Sequence, residues 1–255
     1  MIALNEKLSV RLAETESDIR AAQRLRYDVF VQELGAQGAQ VDHENRLETD
    51  RFDAYFDHLL LIDQSRQVAD QVVGVYRLLR SDQAEKVGGF YSETEYDLAP
   101  LKSSGRPLLE LGRSCLHVDY RGGQGMYLLW NALADYVTEH GIEVLFGVAS
   151  FHGTDLEPIW PSISYLHHSH LAPEDLRVAS KATPKNSYFP LADINRLQAM
   201  KNTPSLIKAY LKMGGFIGDG VYIDTAFNTT DVCLILDTKR MSESQKRLYF
   251  KGRSK

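Results

Sequence analysis

The sequence is poor in cysteine and has no long apolar run. Its 255 residues include two cysteines, Cys115 and Cys233, each flanked by apolar residues in a strand-like segment. Isolated cysteines argue against a disulfide framework and predict buried thiols in a reducing cytoplasm. No apolar run approaches the roughly 18 residues of a membrane span. The first ten residues lack the basic and then apolar pattern of a secretory leader, so we expect no signal peptide.

Motifs for nucleotides and metals are also missing. No G-x-G-x-x-G stands in the turn after the central strand, and no G-x-x-x-x-G-K-[ST] is present, which argues against dinucleotide-binding and P-loop proteins. His167, His168 and His170 cluster without Asp, Glu or Cys at ligand spacing. We therefore expect surface or substrate-lining histidines, and we expect no metal, no cofactor and no nucleic-acid partner.

Charge is unevenly distributed along a chain whose formal net charge is −5. Residues 1–176 carry 15 Lys and Arg against 28 Asp and Glu, whereas residues 177–255 carry 14 against 6. A basic C-terminal third predicts attraction to an acidic partner or to an anionic membrane. The basic residues of the tail after Asp237 are Lys239, Arg240, Lys246, Arg247, Lys251, Arg253 and Lys255.

The stretch from 108 to 130 combines a strand, a glycine-rich turn and a helix. An extended apolar run from Leu108 to Val118 is interrupted by Glu110, Gly112 and Arg113. Glycines follow, and from Met126 apolar residues recur at i, i+3 and i+4. The first turn of such a helix offers unpaired N–H groups and a positive dipole end, which favour phosphate. The pattern predicts a phosphate-binding turn, although many strand–turn–helix units bind no ligand.

The remaining pattern predicts a mixed α/β (α+β) protein with a largely antiparallel sheet and flanking helices. Thr15 and Asp18 have the spacing of a capped helix start. Apolar runs at 58–62 and 72–79 are separated by a polar connection, which predicts an antiparallel hairpin.

Two segments have the composition of loops. The acidic segment 37–57 is predicted to be a loop, solvated on the simplest interpretation, and residues 172–205 are predicted to be rich in loops. The length allows a full core. We expect one domain over residues 1–255, with a C-terminal extension and basic tail from about 172.

Eight sequence blocks spread over nearly the whole chain carry a family resemblance. They are LRYDVF at 25–30, DRFD at 50–53, DHLLLID at 57–63, VVGVYRLL at 72–79, GGFYSETEYDL at 88–98, LELGRSCLH at 109–117, LFGVASFHGTD at 145–155 and FNTTDVCLIL at 227–236. Together they resemble the ornithine-lipid N-acyltransferases of the GNAT superfamily. The resemblance implies a GNAT-like fold and transfer of a 3-hydroxyacyl chain from acyl carrier protein to the α-amine of L-ornithine. The implied product is the lyso precursor of ornithine lipids.

A more distant resemblance is to the acyl-homoserine-lactone synthases. It includes an arginine–phenylalanine pair, spaced aspartates, a strand arginine and E-x-x-R. The resemblance implies a set of substrate-binding residues: Arg26, Phe30, Asp50, Asp53 and Arg77. It implies catalytic roles for Glu110 and Arg113.

The turn that would hold the donor departs from the pattern of the wider superfamily. Coenzyme-A-dependent members usually carry R/Q-x-x-G-x-G/A, whereas here Gln124 stands at the first of those glycine positions. A weakened pyrophosphate cradle suits a donor with only a phosphopantetheine arm, as acyl carrier protein supplies, and leaves coenzyme A less favoured. The residues expected to bind that arm are Val118, Arg121, Gly122, Gly123, Gln124 and Gly125.

The chemistry of thioester aminolysis assigns roles to these side chains. An amino-acid ammonium must lose a proton before it attacks, and Glu110 is the candidate general base, unless it simply pairs with Arg113. Arginine is suited to clamp the carboxylate of the acceptor, and Asp50 and Asp53 could bind its side-chain ammonium. The alternative for each residue is an ordinary surface ion pair.

Other functions remain open at the level of sequence. A homoserine-lactone-type signal synthase would use the same donor with another acceptor, and an N-acyltransferase could act on another amino acid. A non-catalytic GNAT-like binding module would keep the fold without turnover. The basic tail predicts contact with acyl carrier protein or peripheral contact with the inner membrane face.

Overall fold

The computed structural model of the chain describes residues 7–38, 41–184 and 186–249. The elements up to residue 103 are β1 (Leu8–Leu12), α1 (Glu16–Arg26), β2 (Val41–Asp42), β3 (Leu47–Glu48), β4 (Asp57–Asp63), β5 (Val72–Arg80), α2 (Ser81–Val87), β6 (Tyr96–Asp97) and α3 (Ala99–Ser103). The later elements are β7 (Leu108–Leu116), α4 (Gly125–Glu139), β8 (Val144–His152), α5 (Trp160–His170), β9 (Ala179–Ser180), α6 (Arg196–Asn202), α7 (Ser205–Lys212), β10 (Phe216–Ile217), β11 (Tyr222–Asp224), β12 (Thr229–Asp237) and α8 (Glu243–Tyr249).

Contacts within the chain divide it into two compact units. Unit 1 comprises residues 1–88, 111–141 and 249–255, and unit 2 comprises residues 89–110 and 142–248. The division falls inside β7, so that Glu110 belongs to unit 2 and Leu111 to unit 1. The expected single domain with an extension from about 172 stays a prediction.

Unit 1 is built on the strand order β1-β4-β5-β7. The β1–β4 and β4–β5 pairings are antiparallel, which confirms the predicted hairpin. Helices α1 and α4 pack against β4 and β5. Part of the core is a buried apolar cluster: Ala22, Leu25, Val29, Leu60, Ile62, Val75 and Cys115. The apolar positions of α1 recur at helical spacing, so one face of the helix is buried in this cluster.

The start of α1 confirms the predicted cap. The Thr15 side chain accepts a hydrogen bond from the Asp18 backbone N–H, and the Asp18 carboxylate accepts one from the Thr15 backbone N–H. Such reciprocal bonds satisfy two of the four N–H groups that a helix start leaves without partners. The helix continues as a π-helix from Tyr27 to Glu33. This form is rare in proteins overall, but where it occurs it is often at a functional site.

Unit 2 is built on the strand order β7-β8-β12-β10, with β11 also paired to β12. The β7–β8 pairing is parallel, from Leu108 opposite Val144. The β8–β12 pairing is antiparallel over the full length of both strands, and β10 and β11 are antiparallel to β12. The fold is therefore mixed α/β with a largely antiparallel sheet and flanking helices, as predicted.

Residues 49–56 form a loop, as predicted for segment 37–57, but the expectation that this part is solvated is wrong. Leu47, Glu48, Phe52, Asp53 and Phe56 are all buried, and β2 and β3 form a short hairpin. The physical reason is that two phenylalanines anchor this segment in the core while its acids meet buried arginines. Segment 172–205 is rich in loops, as predicted, and its regular elements include β9 and α6, which packs against α5.

Both cysteines are free and buried, as predicted. Burial raises the pKa of the Cys115 thiol to about 12, so the group stays protonated and unreactive at neutral pH. Among the described residues, no helix combines the length and the apolar character needed to cross a bilayer.

Candidate active site

Arg26 lies at the centre of a buried charged cluster in unit 1. It ends α1 and its side chain is fully buried. Its guanidinium donates from Nε to Glu48 Oε2 at 2.5 Å and from Nη1 to Asp53 Oδ1 at 2.6 Å. Nη2 donates to the Glu48 carbonyl at 2.7 Å and to Asp53 Oδ2 at 3.2 Å. The rigid fork of arginine therefore ties α1 to the segment that carries both acids.

Arg77 brings a second guanidinium to the same acids from β5. Its Nη1 donates to Asp53 Oδ1 at 2.7 Å and to Asp50 Oδ1 at 2.9 Å. The guanidinium also lies over the Phe56 ring, with its central carbon 4.4 Å from the ring centroid. Cation–π contact of this kind stabilises a desolvated arginine without requiring another acid.

Arg113 contributes the third guanidinium, and it is the most exposed of the three. Its Nε donates to Glu48 Oε1 at 3.2 Å, and Nη2 lies 3.6 Å from Asp50 Oδ2. Its side chain is 9% exposed, against 0% for Arg26 and 1% for Arg77. The backbone of Arg113 has φ of 50°, which is uncommon for a residue other than glycine. Strain of this kind is concentrated at functional sites.

Three arginines and three acids leave this cluster formally neutral. Burial alone would raise the pKa of Asp53, but Arg26 and Arg77 hold it well below its usual value. Burial likewise opposes ionisation of Glu48, and Arg113 and Arg26 overcome it and lower its pKa. Burial would lower the pKa of Arg26, whereas Glu48 and Asp53 raise it. Asp53, Glu48 and Arg26 are therefore charged at neutral pH.

His58, on β4, borders the cluster in its neutral form. Burial, together with the charges of Arg26 and Arg77, lowers its pKa to about 4. Nε2 lies 3.0 Å from the Asp53 carbonyl, and because a carbonyl only accepts, Nε2 carries the proton. The imidazole thus fixes the backbone of Asp53 without adding charge.

Glu110 is held by backbone donors in unit 2. Its side chain is 1% exposed, and its Oε1 and Oε2 accept the N–H groups of Ser92 at 2.6 Å and of Tyr91 at 2.8 Å. Two N–H donors orient a carboxylate and stabilise its charged form, which is the form that can accept a proton. Phe90, just before these donors, packs edge-on against Phe146 with ring centroids 5.0 Å apart, so it is a core residue.

The turn before α4 is the predicted donor-binding segment. Val118 opens a short helical turn and is 56% exposed, and α4 begins at Gly125. A Cβ on Gly125 would come within 3.1 Å of Leu61 Cδ2 and 3.2 Å of the Tyr120 carbonyl oxygen, so a larger residue would push the helix start away. Arg121 donates to the Leu116 carbonyl and pairs with Glu33 at 2.7 Å. A turn held in this way presents the first N–H groups of a long helix.

The structure gathers five of the predicted residues and adds two that the sequence did not single out. Arg26, Asp50, Asp53, Arg77 and Arg113 share the unit 1 cluster, and Phe30 packs on the apolar cluster beside α1. In the sequence, Glu48 is one of several acids in the segment 37–57, which is predicted to be a loop. His58 is the first residue of the predicted strand 58–62. No feature of the neighbouring sequence marks either residue, because the burial of each depends on contacts with residues that are distant in the chain. The substrate-binding and catalytic roles themselves stay predictions.

The histidine cluster at the end of α5 is occupied by aromatic and ionic contacts. His167 stacks on Tyr188 with ring centroids 3.8 Å apart, and its Nδ1 lies 3.4 Å from Asp219. The ring of His168 lies near the same tyrosine, and its Nε2 lies 2.8 Å from the Phe189 carbonyl oxygen.

Comparison with known proteins places the chain in a family. A model of the acetyltransferase (GNAT) domain matches residues 25–131, from the end of α1 into α4. The L-ornithine N(alpha)-acyltransferase of Rhodobacter capsulatus is 53% identical over 251 residues, which cover 98% of this chain and 97% of that protein. This chain belongs to the L-ornithine N(alpha)-acyltransferase family. As a member, it is an N-acyltransferase, which confirms the resemblance and the enzyme class drawn from the sequence.

Solved structures agree on the fold. FeeM, an N-acyl amino acid synthase from uncultured soil microbes, aligns with a TM-score of 0.54 at 11% identity, over 94% of this chain and 97% of that one. A CoA-dependent acyl-homoserine lactone synthase aligns with a TM-score of 0.51 at 14% identity, over 93% of this chain and 82% of that one. At such low identities the likeness concerns the fold alone, and it confirms a GNAT-like fold.

Proposed function

We propose that the protein transfers a 3-hydroxyacyl chain from acyl carrier protein to the α-amine of L-ornithine, which gives the lyso precursor of ornithine lipids. The observation that carries the proposal is identity of 53%, over 98% of the chain, to a protein named for ornithine N-acylation. Identity spread over nearly the full length of both chains covers the acceptor and donor segments together. The proposal therefore concerns the whole reaction and not the fold alone.

The choice of donor is supported by the turn before α4. Gln124 precedes the helix where coenzyme-A-dependent members usually have a glycine, and among the glycines of this turn Gly125 makes the close approach to Leu61. A phosphopantetheine arm carries one phosphate and lacks the adenosine pyrophosphate, so one helix N-terminus suffices to bind it. An acyl-carrier-protein thioester is therefore the proposed donor, and no separate cofactor is needed.

The acceptor groups have matching partners in unit 1. Arg113 is the most exposed arginine of the cluster, so an incoming carboxylate can reach its guanidinium more readily than those of Arg26 and Arg77. Asp50, with its side chain 12% exposed, is the acid best placed to receive an ammonium group. Arg26, Arg77 and Asp53 act as the buried frame that holds these two side chains.

The reaction needs one proton acceptor and no covalent enzyme intermediate. The α-ammonium of ornithine loses a proton to Glu110, and the amine nitrogen bonds to the thioester carbonyl carbon. The tetrahedral intermediate then breaks its C–S bond, and the thiolate of the phosphopantetheine arm takes up the second proton that the nitrogen gives up as it becomes an amide. The two N–H groups on Glu110 hold its carboxylate in a fixed orientation for the first of these steps.

Mass spectrometry on the purified protein tests donor and acceptor together. The protein is incubated with 3-hydroxyacyl-carrier protein, or with the matching acyl-coenzyme A, and with ornithine, glutamine, lysine, glycine or homoserine lactone. We expect N-acyl-ornithine as the main product with the carrier-bound donor. Preferential acylation of another amine would refute the acceptor, and faster turnover with acyl-coenzyme A would refute the donor.

A further inference from the structure

Unit 2 contains a cluster of three carboxylates that the proposed acyl transfer does not use. One carboxylate oxygen from each of Glu95, Asp224 and Asp231 lies within 4.8 Å of the other two. Glu95 is 2% exposed and Asp231 is 3% exposed, while Asp224 is half-buried. Like charges this close, and this far from water, repel one another, and a cation bound among them would relieve that repulsion.

A buried hydroxyl lies on the same face of the sheet as two of these acids. Thr229 is directly opposite Asp224 in the antiparallel β11–β12 pairing, and Asp231 is two residues further along β12. Opposite residues, and residues two apart on one strand, direct their side chains to the same side. Thr229 is 9% exposed, and its Oγ1 is shielded from solvent and has no hydrogen-bond partner among the described residues. A buried, unpartnered hydroxyl on the same face as Asp224 and Asp231 is a candidate fourth oxygen ligand.

From this arrangement we propose that Glu95, Asp224, Asp231 and the Thr229 hydroxyl bind one hard divalent cation, with Ca²⁺ as the best fit. All four ligands are oxygens, which is the donor set of Ca²⁺ and Mg²⁺. Two oxygens on opposite sides of one ion are separated by about 4.6–5.2 Å for Ca²⁺ and about 4.0–4.2 Å for Mg²⁺, from their usual metal–oxygen distances. Carboxylate oxygens as far as 4.8 Å apart can share Ca²⁺ without rearrangement.

The cation would connect β11 and β12 to the backbone that holds Glu110. Glu95 directly follows the helical turn Tyr91–Thr94, and the Tyr91 and Ser92 N–H groups bind the Glu110 carboxylate. A ligand bond at Glu95 therefore anchors one end of the segment that orients the proposed base. The half-buried Asp224 provides the route by which the ion enters.

Calorimetry and thermal unfolding of the full chain test the site independently of acyl transfer. The protein is stripped with a chelator, dialysed and titrated with CaCl₂, MgCl₂ or MnCl₂. We expect one Ca²⁺ per chain and a rise in Tm of several degrees at saturation. Asp231→Asn should abolish both effects, and Thr229→Val, which keeps the size of the side chain, should weaken Ca²⁺ binding about tenfold.

Glu157→Gln serves as the matched control, because it neutralises an exposed acid of the same unit outside the cluster. The control should bind Ca²⁺ as the wild type does. The site is refuted if none of the three ions binds or raises Tm, or if Asp231→Asn and Thr229→Val respond like the wild type. These readouts need neither ornithine nor an acyl donor, so their failure leaves the proposed reaction untouched.

Discussion

The two units bury their charges in opposite ways. In unit 1, three arginines and three acids neutralise one another, and Arg26 alone donates to both Glu48 and Asp53. In unit 2, Glu95, Asp224 and Asp231 bring carboxylates together, and Glu110 is held by backbone N–H groups. The first arrangement pairs opposite charges, whereas the second brings like charges together and holds Glu110 through uncharged backbone donors.

The unit 1 cluster is therefore a structural frame, whereas Glu110 in unit 2 is the proposed reactive group. A balanced buried cluster holds its side chains in place. If any member moves away or is removed, an uncompensated charge remains in a medium of low dielectric constant. Backbone donors orient a carboxylate and leave its protonation free to change. We therefore expect neutralisation of an acid to affect stability in unit 1 and activity or cation binding in unit 2.

The largest effect is expected for Glu110→Gln. Loss of a general base typically lowers the rate by about 100- to 10,000-fold. Steady-state kinetics should show the loss in kcat, with the KM for ornithine little changed. Glu93→Gln is the control, because Glu93 lies in the same segment but pairs with Lys102 at 2.8 Å. A Glu110→Gln variant with nearly wild-type kcat would show that the carboxylate is structural.

Asp53→Asn and Asp231→Asn should change stability with opposite signs. Asp53→Asn leaves Arg26 and Arg77 without their shared acid and should cost about 3–5 kcal/mol of unfolding free energy. Asp231→Asn removes one of three crowded carboxylates and should raise the Tm of the metal-free protein. Urea unfolding and thermal melts in chelator measure both. The contrast between the units fails if the two variants shift stability in the same direction.

A smaller effect is expected for the pH dependence of His58. Its folded pKa of about 4 is below its unfolded value of 6.5, so the unfolded state binds more protons between these limits. Stability contributed by the neutral imidazole is present above pH 6.5 and is lost as pH falls towards 4. Between pH 7 and pH 5 the loss is about 2 kcal/mol.

Urea unfolding of the wild type and of His58→Gln across this range measures the difference. Glutamine keeps a side-chain N–H donor for the Asp53 carbonyl but does not titrate, so the variant should lose less stability on acidification. Equal slopes for the two proteins would mean that His58 is not shielded as the structure shows.

The smallest effect is expected from removal of the tail. Lys239 pairs with Glu143 at 2.6 Å, and Arg240 pairs with Asp237 at 3.0 Å. The charges predicted to attract the carrier protein or the membrane are therefore those of the later basic residues. Of these, Lys251, Arg253 and Lys255 lie outside the described residues. Removal of residues 242–255 should raise the KM for the carrier-bound donor several-fold at low salt and leave kcat unchanged, because exposed charges mainly affect encounter.

An acyl-pantetheine donor without carrier protein provides the control for that experiment, and its KM should not change on truncation. Co-sedimentation with anionic vesicles at low and high salt tests the membrane alternative. The tail has no docking role if truncation alters neither donor kinetics nor vesicle binding at low salt.

Local patterns were enough to predict much of the fold. Thr15 and Asp18 predicted the helix start, because a capping box involves only residues three apart. The hairpin of β4 and β5 followed from two apolar runs around a polar connection. The strand, turn and helix around Gly125 followed from a change of apolar spacing from extended to helical.

Local patterns did not predict which charged residues are buried. Glu48 and Asp53 are acids in a polar stretch, and composition alone made that stretch a solvated loop. Phe52 and Phe56 anchor it in the core, and Arg26 and Arg77 supply charges from residues more than twenty positions away. Such compensation depends on which strands become neighbours.

The sequence by itself determined the family, the class of elements and the residue types needed for acyl transfer, since those follow from local spacing and from motifs in order. Tertiary structure alone decided that the arginines of unit 1 meet acids instead of solvent. It also decided that Glu95 meets Asp224 and Asp231, which lie more than a hundred residues later. The physical reason is that electrostatic energy depends on distance and burial in space, and neither is a property of a short stretch of chain.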